Sequence, residues 1–178
     1  MELFEKEIER NIVFEGRIFK TAVCKAELPN GDIVGRELTV HSGGVSILPI
    51  DSEGYGYFVK QYRYGAGKVL LEVPAGKLEV GEDPFDAAIR ELSEETGFTA
   101  GRVVPMGILY SSPAIMTEKI YMYLALDLTG GRQHLDSDEF LELERIKLTD
   151  ACDMVYKNEI EDGKSQALIL KSAHYLKQ

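Results

Sequence analysis

The segment from Gly76 to Phe98 constrains this chain more than any other stretch. Asp83 followed by Pro84 reads as an N-cap and a proline at the first helical position, where a missing N–H costs nothing. Phe85, Ala88, Ile89 and Leu92 fall at i, i+3, i+4 and i+7, forming one apolar stripe. Gly97 stands where a left-handed residue closes a helix. A helix over about 84–96 is therefore expected. Its last turns carry Glu91, Glu94 and Glu95, at the negative end of the helix dipole. Glu91 and Glu95, on one flank of the stripe, repel each other by about 0.2–0.5 kcal/mol. The dipole costs Glu94 and Glu95 about 0.3–1 kcal/mol each. Arg90 reaches Asp86 or Glu94 at i,i+4 and does not neutralise all three acids. Two readings stand: a solvated acidic face, or a divalent-cation site for hard oxygen ligands, Mg²⁺ or Mn²⁺.

Composition narrows the partners. The chain has 178 residues, 44% hydrophobic and 28% charged, enough for a globular unit with a proper core. Its net charge of −10 argues against a nucleic-acid surface, which needs a basic footprint. A small phosphorylated substrate remains compatible, because a bound metal inverts the local charge. Cys24 and Cys152 read as free thiols, and His41, His134 and His174 lack metal-ligand spacing. The first residues are charged and carry no apolar run. No signal peptide or membrane span is expected, and a cytoplasmic location is.

Strand patterns occupy about 12–28, 33–41, 45–51, 57–64, 69–73, 103–110, 118–127 and 139–147, with a tight turn at Asn30-Gly31. Two helical patterns close the chain near 149–159 and 164–177, the second with Ala167, Leu168, Leu170, Ala173 and Leu176 as core candidates. Many strands, one helix, more strands and terminal helices indicate a mixed α+β or α/β/α arrangement.

Gly76, Glu82, Arg90-Glu91-Leu92, Glu94-Glu95 and Gly97-Phe98, at these spacings, match the Nudix box at every fixed position. The chain resembles the Nudix hydrolases. The resemblance implies an α/β/α sandwich over residues 42–178, with residues 1–41 an added N-terminal β-hairpin. That hairpin lies where related ADP-ribose pyrophosphatases exchange strands in a homodimer; an ordinary edge hairpin is the alternative. By the same resemblance Glu91, Glu95 and the Ala75 carbonyl are metal ligands for two or three Mg²⁺ or Mn²⁺ ions. Glu94 lies close by, Arg90 anchors the loop–helix–loop through ion pairs, and Glu82 is a structural or secondary acid.

Further wording is similar to the ADP-ribose pyrophosphatase subfamily: Leu71-Glu72-Val73-Pro74-Ala75-Gly76-Lys77-Leu78-Glu79, Gln61-Tyr62-Arg63, Gly35-Arg36-Glu37, and Ser111-Ser112-Pro113. It implies that Arg63 and Arg36 contact the diphosphate or the adenosine end, as guanidinium groups suit phosphate. Phe19 and Tyr62 are candidates for an adenine shelf, or ordinary packing residues. In the subfamily a carboxylate of the acidic loop 135–140 serves as general base; Glu139 matches best, with Asp136 and Asp138 as alternatives. The chain departs from the pattern at Ala114, usually Gly, and at Ser137, often Glu. The implied activity is metal-dependent hydrolysis of ADP-ribose, a small nucleoside diphosphate substrate, to AMP and ribose 5-phosphate. Alternatives are another nucleoside diphosphate sugar such as GDP-mannose, a dinucleotide, or a non-catalytic ligand-sensing module.

Overall fold

The computed structural model describes residues 3–131, 133–135 and 140–177. In chain order the elements are β1 (Lys6–Glu15), β2 (Lys20–Glu27), β3 (Ile33–Val40), β4 (Gly44–Pro49), β5 (Tyr55–Arg63), β6 (Lys68–Glu72), β7 (Ala75–Lys77), α1 (Pro84–Thr96), β8 (Thr99–Tyr110), β9 (Lys119–Thr129), β10 (Leu141–Lys147), α2 (Leu148–Tyr156) and α3 (Gly163–Tyr175). They form two compact units.

The first unit holds the chain up to Gly43 together with Tyr110–Lys119. Its sheet is the antiparallel meander β1-β2-β3. The expected single strand over 12–28 is thus two strands. Gly16 N–H donates to the Phe19 carbonyl (3.0 Å), closing a turn that carries none of the Asn-Gly chemistry seen at Asn30-Gly31. All ten residues of β1 are exposed, whereas Ala22, Cys24 and Ala26 of β2 alternate inward. Thr39 pairs with Met116 in an isolated parallel bridge.

The second unit holds Gly44–Leu109 and the chain from Ile120 onward. Its four-stranded sheet has the order β7-β4-β9-β8, with β4 and β9 parallel. Every residue of β4 is buried, the mark of a strand covered on both faces. The period of two sorts its side chains: Val45 and Ile47 pack with Ala87, Ala88 and Leu92 of α1, while Leu48 and Ile50 pack with Leu168 and Ile169 of α3. β9 divides in the same way, Tyr123 and Ala125 toward the first cluster and Met122, Leu124 and Leu126 toward the second. The sheet is therefore the middle layer between α1 and the α2–α3 pair. A second sheet, β10-β5-β6, adds Phe58 to the α3-side core. This is the expected mixed α/β architecture.

Helix α1 has the expected bounds. The Asp83 carboxylate accepts the Phe85 N–H at 2.8 Å, and Gly97 closes the helix at φ 73°. Its buried face keeps only half of the expected stripe, Ala88 and Leu92. Phe85 and Ile89 are each 40% exposed, and the buried positions are Ala87, Ala88, Glu91, Leu92, Glu95 and Thr96. Small alanines let the helix lie close on β4, and that rotation carries two carboxylates inward. In α3 the expected Leu168 is buried and Ala167 packs against the core, while Ser165, Ile169 and Ser172 join the buried face and Leu176 is exposed.

Candidate active site

The site forms where α1 passes β7. β7 is too short to read from sequence; it pairs Ala75, Gly76 and Lys77 with Ser46, Val45 and Gly44 of β4. This holds the backbone of 75–77 against the acidic end of α1. The Ala75 N–H donates to Glu95 Oε2 at 3.1 Å. Gly76 lies so close to Glu91 that a Cβ added there would stand 1.7 Å from Oε1. Ala75, Gly76, Glu91 and Glu95 are thereby brought together, with Glu91 7% and Glu95 2% exposed.

Arg90 is the hub of the cluster. Its Nε and Nη2 donate to the two oxygens of Glu82 (2.9 and 3.1 Å), and its Nη1 donates to Glu91 (2.7 Å) and Glu94 (2.9 Å). Nη2 also reaches the Lys77 carbonyl at 3.3 Å. The i,i+4 bond goes to Glu94, and the reach to Glu82 and Glu91 exceeds what helical spacing alone foretold. The Glu82 hydrogen bond raises the Arg90 pKa further above its ordinary value, against the opposing effect of burial. Arg90 in turn holds Glu82 below the usual carboxylate range, helped by the Glu79 N–H that Glu82 accepts. One guanidinium thus serves three carboxylates, and Glu95 is not among its partners.

The C-terminal carbonyls of α1 are met by a segment that sequence reasoning had assigned no such role. His134 N–H donates to the Glu94 carbonyl (2.9 Å) and Gln133 Nε2 to that of Glu95 (2.5 Å). Both satisfy orphan acceptors of the last turn. No local sequence signal marks them.

Arg63, at the end of β5, lies in the same unit and near enough to Glu95 to feel its charge. Its Nε and Nη2 donate side-on to the Glu72 oxygens at 2.7 and 2.8 Å. Glu72 is 1% exposed, and sequence reasoning gave it no role. Tyr62 beside it is 57% exposed and pairs with Val69 of β6. Arg36, Phe19 and Pro113 belong to the other unit. There Arg36 is bound side-on by Glu5 (3.0 and 2.8 Å), and the Phe19 ring lies 5.8 Å from Phe14. Pro113 sits in a turn in which the Ser112 carbonyl accepts from Ile115 and Met116. Glu139, with Asp136, Ser137 and Asp138, lies outside the described residues.

Among the described residues, no three His, Cys, Asp or Glu side chains are gathered as a metal-ligand set. The donor chemistry at 75, 91 and 95 nonetheless fits a hard divalent cation: two nearly buried carboxylates face a backbone segment that glycine keeps clear of a Cβ.

The family model for the NUDIX domain matches residues 40–168. This chain is a Nudix hydrolase. It is 39% identical over 177 residues to the ADP-ribose pyrophosphatase of Bacillus subtilis (strain 168), covering 96% of each chain. It is 38% identical to the methanol dehydrogenase activator of Bacillus methanolicus, covering 90% of this chain and 88% of that one. A GDP-mannose pyrophosphatase of Citrobacter koseri is 30% identical over 79% of each. The crystal structure of an ADP compounds hydrolase superposes with a TM-score of 0.85 over 99% of this chain and 97% of that chain; at 21% identity the likeness is one of fold. Among the described residues of this Nudix hydrolase, no helix is long and apolar enough to cross a membrane.

Proposed function

We propose that this Nudix hydrolase splits the diphosphate of ADP-ribose into AMP and ribose 5-phosphate with the aid of bound Mg²⁺ or Mn²⁺. The observation that carries the reading is the packing of the Glu91 and Glu95 carboxylates against Ala75–Gly76. The 39% identity to an ADP-ribose pyrophosphatase over nearly the whole chain supports the substrate.

Glu91, Glu95 and the Ala75 carbonyl would hold the cation, which when bound neutralises phosphate charge and lowers the pKa of water. Arg90 restrains Glu91 and Glu94 so that their mutual repulsion does not splay the site. Arg63 spends its Nε–Nη2 side on Glu72, which leaves the Nη1–Nη2 edge to grip a phosphate bidentately. Glu139 takes the proton of the attacking water. The water oxygen ends on one phosphorus, the bridging P–O bond breaks, and two phosphomonoesters leave. Arg36, Phe19, Tyr62 and Pro113 are assigned to the adenosine and diphosphate ends of the substrate. The exposed strand β1, which presents Ile8, Ile12 and Phe14, supports residues 1–41 as the contact of a homodimer. The implied location is cytoplasmic.

The test is a panel of ADP-ribose, GDP-mannose and dinucleotides with Mg²⁺. AMP and ribose 5-phosphate from ADP-ribose, at the highest kcat/KM of the panel, is the expected result. Preferred turnover of another member would reject the substrate assignment.

A further inference from the structure

Helix α3 begins with a charge in the wrong place. Lys164 lies in its first turn, where the dipole is positive and a cation is disfavoured by about 0.3–1 kcal/mol. Its side chain is only 13% exposed. Its Nζ donates to Glu72 Oε2, the oxygen that also receives Arg63 Nη2, and to Asp162 Oδ2 at 2.9 Å. Arg63, Glu72, Lys164 and Asp162 thus alternate in sign and together carry no net charge. Asp162 is at the same time the N-cap of α3, accepting the Ser165 N–H (3.0 Å) and hydroxyl (2.5 Å). The Ser165 oxygen accepts the Val73 N–H at 2.9 Å, two residues before Ala75. The start of α3 therefore clasps both the carboxylate behind Arg63 and the strand that leads into the site.

We propose that Lys164 is a positioning residue for Arg63, acting through Glu72. A carboxylate 1% exposed and facing a single guanidinium would draw that guanidinium fully onto itself. Lys164 takes up part of the charge of Glu72 at Oε2, the oxygen it shares with Arg63 Nη2, and restrains the carboxylate. Arg63 then stays side-on, with its end-on edge available to a phosphate. Such a preset fork loses less freedom when it closes on a diphosphate than an arginine that must first leave a competing acid. This rests on the assignment of Arg63 as a phosphate ligand.

The experiment is a double-mutant cycle of Lys164→Met and Arg63→Ala, with KM and kcat for ADP-ribose and Kd for ADP measured in each background. Lys164→Met alone should raise KM and the ADP Kd by about five- to twenty-fold and change kcat by less than about two-fold. In the Arg63→Ala background the same substitution should change neither constant. An equal effect with and without Arg63, or a lowered melting temperature with KM and Kd unmoved, would overturn the proposal. If Lys164→Met does not fold, Lys164→Gln, which keeps a donor at that point, takes its place under the same criteria. Wild type inert toward ADP-ribose would reject the substrate reading alone, because the ADP Kd still reads the cycle.

Discussion

Replacing Gly76 with alanine should disable the site while leaving the fold standing. The φ of Gly76 is not positive, so an L-residue is tolerated by the backbone. The new Cβ, however, would lie 1.7 Å from Glu91 Oε1, 2.0 Å from its Cδ and 2.5 Å from its Oε2. The carboxylate must swing away by about 1.7 Å to reach even the close end of ordinary non-bonded contact. What yields is the far end of a flexible side chain, not backbone. The swing forfeits the 2.7 Å bond from Arg90, a loss of about 1.5–3 kcal/mol, and strains a rotamer by about 0.5–1.5 kcal/mol. Alanine returns about 0.4–1 kcal/mol by stiffening the unfolded chain. The net cost is about 1–4 kcal/mol, or a melting temperature lower by about 2–16 °C for a chain of this size. Activity should fall much further, by about 100-fold or more in kcat, because Glu91, the proposed cation ligand, is displaced by more than 1 Å. Circular dichroism melting and AMP release with Mg²⁺ check both numbers. Gly65→Ala, where an added Cβ meets nothing within 4 Å, is the control. A Gly76→Ala protein with near-wild-type kcat would refute the reasoning, and so would one that fails to fold.

The other expectations concern charge. Mn²⁺ should raise the melting temperature of the wild type, and Glu95→Gln should abolish that rise and reduce kcat by about 100-fold or more; an unchanged Mn²⁺ shift would remove Glu95 from the cation site. Arg90→Met leaves Glu82, Glu91 and Glu94 without their shared cation and should cost about 2–3 kcal/mol in urea unfolding, with kcat falling as well; stability within about 0.5 kcal/mol of wild type would show that the hub is dispensable. Burial pushes the Glu72 carboxyl up, but Arg63 and Lys164 outweigh it and hold the group below its ordinary value. A carboxyl depressed in the folded state contributes stability above its unfolded pKa and loses it as pH falls through the folded one. Urea midpoints of the wild type should therefore drop below about pH 4.5, and those of Glu72→Gln should drop less over the same range; parallel curves would contradict the assignment.

What could be read in advance was what acts over a few residues. Asp83-Pro84 and Gly97 are local stop and start signals, and both ends of α1 lie where they put them. The missed turn at 16–19 had only Gly16 to announce it, and β7 is three residues long, below the length at which a period shows. The apolar stripe held at Ala88 and Leu92 and missed at Phe85 and Ile89, because periodicity counts hydrophobic residues while close packing on β4 also takes the small Ala87.

By itself the sequence determined that α1 ends in a cluster of negative charge bracketed by glycines, since i,i+4 spacing and the dipole are properties of one helix. Only the tertiary structure decided where that charge faces. Helix α1 turns its alanines, and with them Glu91 and Glu95, onto β4 and β7, where Gly76 leaves room for a carboxylate. Likewise the resemblance singled out Arg63 as a candidate for the diphosphate, but nothing in the sequence announced its partner Glu72 or the Lys164 behind it. Lys164 reaches Glu72 across 92 residues of chain, a pairing made by the packing of α3 and invisible to any local pattern.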